Sequence, residues 1–195
     1  PFLKKYFKKF IPQIIQVKLE KIYKKIIKLT GREKAIKRKF NKILKENKNK
    51  KIVIFPPLFE WNMPLFQRPQ HMAIGLADAG YLFFFCTTNS KKDNTKDFLK
   101  IKEGLYITNQ YEFIKEYVKG GLFLTYAADP NITYEDLTEE IELRNMTVIY
   151  EYVDEIHRDL VGSVADKLLI KHDKVLADER ILISTSAQKL LNEVK

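Results

Sequence analysis

Cysteine, glycine and long apolar runs are the scarce features of this 195-residue chain, which has a single cysteine and seven glycines. One thiol excludes an intrachain disulfide, and a chain without disulfides fits a reducing compartment. Cys86 stands in the apolar run Tyr81–Cys86, where a small buried core residue is expected. No stretch of about 18 apolar residues exists, so no spanning helix is expected. The N-terminus is too charged for the apolar segment of a signal peptide. Pro1 stands where an initiator methionine would, which suggests a chain that begins inside a longer one. The glycines form no Gly-x-Gly-x-x-Gly turn, so a dinucleotide whose pyrophosphate needs bare backbone is excluded there. His157 and His172 have no ligand partners at useful spacing, and no metal site is expected. Ser184 and Ser186 lack the Gly-x-Ser-x-Gly setting of a nucleophile elbow.

What is present is divided unevenly. Residues 1–50 carry 18 Lys/Arg against three Glu, a net +15, and the remaining residues carry a net −5. The basic character therefore belongs to an arm, residues 1–50, and not to the domain that follows at 51–195. In the arm, Ile11, Ile15, Leu19, Ile22, Ile26 and Leu29 recur at gaps of three and four, one face of a helix. Lys18, Lys21, Lys25 and Lys28 fall on the rest. Gly31 is expected to interrupt this helix, and a second follows over about Glu33–Glu46. Such an arm suits an anionic membrane surface or packing on protein with a solvated Lys face. Nucleic acid fits least, because the arm has no recognition-helix pattern and the domain behind it is acidic.

From Lys51 on, short β-branched and aromatic runs alternate with helical patterns. Strands are expected at Lys51–Phe55, Tyr81–Thr88, Gly104–Asn109, Leu122–Tyr126, Met146–Val153 and Ile181–Thr185. Helices are expected from Pro69 to Gly80, Tyr111–Lys119, Pro130–Arg144, Glu155 to about Val175 and Ser186–Val194. The first has Pro at its start and Gly past its end, and Thr133 and Asp136 have capping-box spacing. The alternation predicts an α/β domain, a Rossmann-like open parallel sheet with helices on both faces. Ligands of such sheets bind beyond the carboxyl ends of the strands. That rule singles out the loop Pro56–His71, which holds the only tryptophan, Trp61, with Glu60, Arg68 and His71 beside a helix N-terminus.

Trp61, then Gln67-Arg68-Pro69-Gln70-His71 and a helix closing at Ala79-Gly80, resembles the N-terminal domain of a group of bacterial glycosyltransferases. These are related to the retaining family 4 and have the GT-B architecture. Val148–Glu155 resembles a Tyr-Asp-x-x-Asp strand end of that group, with Glu151 at the first acidic position. Ala177-Asp178 before Ile181–Ile183 and Ser184 is a third likeness. The similarity covers about Lys51 to Lys195. It implies the acceptor half of an enzyme that moves a sugar from a nucleotide diphosphate donor to a saccharide or lipid-linked acceptor in surface glycan synthesis. The donor-binding C-terminal domain has no counterpart within these residues, and the chain alone is expected to be inactive.

The resemblance implies no cofactor in this domain and a nucleotide-sugar held by the other. It gives acceptor-binding roles to Glu60, Trp61, Arg68, His71, Asp154 and Glu155. Each has a plainer alternative: Trp61 as a buried loop anchor, Arg68 as a surface or cap residue, His71 as a solvated helix-start residue, Asp154 and Glu155 as caps of the helix that follows. No catalytic base is assigned. The expected location is cytoplasmic, peripheral on the inner membrane face. The competing readings are a non-catalytic α/β binding or scaffold module with a docking helix, and a flavodoxin-like or epimerase-like enzyme, which the missing glycine turn disfavours.

Overall fold

The computed structural model of the protein describes residues 31–156 and 165–194. The expected helix over residues 11–29, with Lys18, Lys21, Lys25 and Lys28, lies outside the described residues, as does 157–164. Helix α1, Gly31–Glu46, belongs to one unit of the chain, and the residues from Asn47 on form a second. Ile36, Phe40 and Ile43 are the buried positions of α1, the stripe that its three- and four-residue spacing prescribes.

The second unit contains β1 (Ile52–Phe55), α2 (Arg68–Asp78), β2 (Leu82–Cys86), β3 (Phe98–Lys102) and β4 (Leu105–Thr108). It continues with α3 (Tyr111–Tyr117), β5 (Gly121–Tyr126), α4 (Tyr134–Glu142), β6 (Met146–Tyr152), α5 (Ala165–Leu176), β7 (Leu182–Thr185) and α6 (Gln188–Val194). The seven strands form one open sheet in the order β3-β4-β2-β1-β5-β6-β7. All pairs are parallel except β3 with β4. The molecule is thus a Rossmann-like α/β domain with a mostly parallel sheet. From β1 the chain builds outward to β2 on one side and later to β5, β6 and β7 on the other. The order reverses between β1 and β5, and sheets of this kind take their ligands at that point, beyond the strands' carboxyl ends.

Buried parallel strands read as near-continuous apolar runs because both faces are covered. Phe83, Phe84, Phe85 and Cys86 in β2 are all 0% exposed. Right-handed crossovers put α2 on one face and α3, α4 and α5 on the other. On the α2 face, Val53, Phe55, Phe83, Phe85, Leu105 and Ile107 pack with Ala73, Ala77 and Trp61. Two glycines are required by space. Gly121 opens β5 at φ +113°, and a Cβ there would meet Ile52 O at 2.6 Å. Gly104, at φ +75° between β3 and β4, would meet Tyr81 O at 2.6 Å.

Three expectations are corrected. Phe98–Lys102, expected as part of a polar loop, is an antiparallel edge strand. Its Lys100 and Lys102 sit at the open edge, where charge discourages further pairing. The helix expected from Pro130 begins at Tyr134, because Asp129 Oδ1 accepts from Asn131 N at 2.8 Å and holds the chain in a turn first. The helix expected from Glu155 is absent at 155–156 and is described only from Ala165.

Candidate ligand cleft at the sheet's switch point

The loop after β1 is braced by two carboxylates. Glu60 Oε1 accepts from Lys91 N at 2.6 Å, from Lys92 N at 3.1 Å and from Ser90 Oγ at 3.1 Å. The hydrogen bond from Lys91 N, followed by those of its neighbours, holds the Glu60 carboxyl down to about 2, since donors to a carboxylate favour its charged form. Asp93, 3% exposed, accepts from Trp61 N at 2.5 Å, Asn62 N at 2.8 Å and Thr87 Oγ1 at 2.5 Å. Trp61 is buried, its ring edge-on to Phe85 at 5.3 Å and to Phe66 at 5.2 Å. Gln70, in the first turn of α2, donates Nε2 to Glu60 O at 3.0 Å. Glu60 and Trp61 therefore spend their polar groups and ring on the loop itself.

Arg68 opens α2 and reaches across to β6. Its Nε donates to Glu151 Oε2 at 2.7 Å, with the Arg68 side chain 42% exposed and that of Glu151 2% exposed. Tyr126, the last residue of β5, is in register with Glu151, so their side chains share the α2 face. Tyr126 is 6% exposed and its hydroxyl has no hydrogen-bond partner among the described residues. Burial, then the nearby Glu151 carboxylate, pushes the Tyr126 phenol up from its ordinary value. It stays a neutral donor at any physiological pH. Asp154 lies exposed just past β6 and is close enough for its charge to act on Tyr126.

Of the residues expected at the site, the fold brings Arg68 and Asp154 together around Tyr126 and Glu151. Glu60 and Trp61 form the adjoining wall. His71 is exposed on α2, its ring 6.1 Å from Phe66. Glu155 pairs with Lys189 at 2.6 Å. Tyr126 was not singled out from the sequence, and Glu151 could have faced either way. The one signal for both was position, since Tyr126 closes β5, at the reversal in strand order, and Glu151 lies one residue before the end of the neighbouring β6. Among the described residues no group of three or more His, Cys, Asp or Glu could hold a metal ion, and no helix is long and apolar enough to cross a membrane.

No family model, curated protein or solved structure matches the chain.

Chemically, the cleft offers donors. Glu151 uses one N–H of Arg68 and fixes the planar guanidinium, and no hydrogen bond of the Nη groups is formed among the described residues. A guanidinium held this way suits phosphate, carboxylate or paired hydroxyl oxygens. The unpartnered Tyr126 hydroxyl beneath it can accept or donate once more.

Proposed function

We propose that Asn47–Lys195 is the acceptor-binding half of a glycosyltransferase, moving a sugar from a nucleotide diphosphate donor to a saccharide or lipid-linked acceptor. The observation that carries this reading is the buried, unpartnered Tyr126 hydroxyl beside an Arg68 held by Glu151. A buried polar atom without a partner calls for an explanation, and a ligand supplies one. Its position supports the reading too, because open α/β sheets take their ligands at the point where strand order reverses. The Gln67-Arg68-Pro69 resemblance gives that ligand its class.

In this reading the domain orients and does not activate. Arg68 donates to an acceptor oxygen, Glu151 keeps the guanidinium in plane, and Tyr126 fixes a second oxygen. Asp154 lines the rim, and the loop braced by Glu60 and Asp93 gives the cleft a rigid wall. Rigid placement of an acceptor hydroxyl removes orientational freedom before the reaction begins. The basic arm, with 18 Lys/Arg in its 50 residues, would hold the enzyme on the inner membrane face, a cytoplasmic and peripheral location.

Saturation-transfer NMR of the chain with short oligosaccharides and with a pyrophosphate-linked saccharide tests the proposal. Binding is expected, weakened by roughly tenfold in Tyr126→Phe and Arg68→Lys, the loss of about one hydrogen bond each. Binding that both variants leave unchanged, or none at all, would turn the reading toward a non-catalytic scaffold module.

A further inference from the structure

A second set of polar groups is buried on the opposite face of the sheet. Lys171, on α5, is 4% exposed, and Asp129, in the loop after β5, is 0% exposed. Lys171 Nζ donates to Asp129 O at 2.5 Å, its one hydrogen bond among the described residues, and sits 5.9 Å from the centre of the Tyr150 ring. An ammonium has three protons to give, so two are unspent. Asp129 Oδ1 accepts from Asn131 N, but Oδ2 has no partner among the described residues. Thr125 Oγ1, on the β5 position in register with Tyr150, has none among them either. Asp129 and Lys171 line a cavity of about 270 Å³, together with Ile132, Tyr134, Leu168 and Lys174.

We propose that this cavity binds a small hydroxylated ligand of about the size of a single sugar ring. A spare N–H beside a spare carboxyl oxygen matches a hydroxyl, which accepts from one and donates to the other. A simple anion would meet the Asp129 carboxyl head-on, whereas a neutral polyol satisfies both. Ile132 and Leu168 offer apolar contact for the C–H faces of such a ring. The volume falls just under the roughly 300–1,000 Å³ of sites for drug-sized ligands, which sets the ligand's size. Burial pushes the Asp129 carboxyl up and holds the Lys171 amine down to about 8. The site is on the other face from Arg68 and Tyr126, and it does not depend on the transferase reading.

The experiment is ligand-observed NMR on the full chain with glucose, mannose, galactose, N-acetylglucosamine, glycerol and inorganic phosphate as probes. At least one sugar is expected to bind, and Asp129→Asn and Lys171→Met are each expected to weaken it roughly tenfold or more. Lys100→Ala, on the edge strand β3 and outside both sites, is the control and leaves this binding unchanged. Circular dichroism of each variant separates lost binding from lost folding, and Ile132→Ala, in the cavity lining, gives a milder third test should either fail to fold. Sugar binding that Asp129→Asn, Lys171→Met and Ile132→Ala leave intact overturns the proposal. So does binding of phosphate alone, or of no probe.

Discussion

The two faces of the sheet use the same strands and solve burial differently. The α2 face is aromatic and aliphatic, with Phe55, Phe83, Phe85 and Trp61 packed around small α2 residues, Ala73 and Ala77. Its ion pair, the half-exposed Arg68 with the buried Glu151, lies toward the strands' carboxyl ends. The opposite face buries charge within. Glu140 and Arg144 are 0% and 4% exposed, bonded at 2.5 and 2.6 Å, with Arg144 also reaching Val118 O. His172 Nδ1 lies 3.2 Å from the Tyr150 hydroxyl, and burial holds its pKa down. A face made of alternatives to apolar packing must satisfy every polar group or leave it for a ligand. The α2 face leaves one such group, at its rim. The opposite face leaves two.

The largest expected effects break each face in its own way. Phe85→Ala should destabilise by about 3–5 kcal/mol, the cost of lost transfer energy and a cavity. Arg144→Met should cost a similar amount, about 3–5 kcal/mol, by removing both short hydrogen bonds from the buried Glu140 carboxylate and leaving it only the more distant Lys115, at 4.0 Å. The contrast lies in rescue. Adding Glu140→Leu to Arg144→Met should restore most of the loss, because an apolar pair can replace a buried ion pair, while a charged neighbour cannot refill the Phe85 cavity. Urea denaturation of the three variants checks this.

A smaller effect is expected in the loop. Asp93→Ala removes the acceptor for Trp61 N, Asn62 N and Thr87 Oγ1. It should cost about 1–3 kcal/mol in unsatisfied donors and shift the emission of the single tryptophan to the red. The smallest effect is pH-dependent. The folded Glu60 carboxyl is lowered from 4.5 to about 2, so its contribution is complete above about pH 4.5 and is lost as pH falls toward 2. The Trp61 emission of wild type should report loosening of the 60–62 and 90–93 loops in that window, and Glu60→Gln should lack this step.

Much of the sheet was legible because buried parallel strands leave unmistakable runs, such as Ile52–Phe55 and Leu82–Cys86. Local chemistry was legible too: Thr133 Oγ1 accepts from Asp136 N at 3.1 Å, as the capping-box spacing implies. β3 was not, because an edge strand carrying Lys100 and Lys102 has the composition of a loop. At the cleft, Arg68 and the Trp61 loop could be found from one stretch of sequence. Tyr126, Glu151, Asp129 and Lys171 could not, since their significance comes from strand register and from partners far along the chain. Arg68 and Glu151 are 83 positions apart in sequence.

The central claim is that the carboxyl-end crevice between β1 and β5 holds an acceptor. Amide chemical-shift mapping of the chain, titrated with a pyrophosphate-linked saccharide, tests it most directly. Shifts should cluster at residues 60–71, at Tyr126–Ala127 and at Glu151–Asp154, and Arg68→Lys should shrink them. Shifts confined to residues 129–135 and 167–174, or spread without a cluster at the strand ends, would contradict the account.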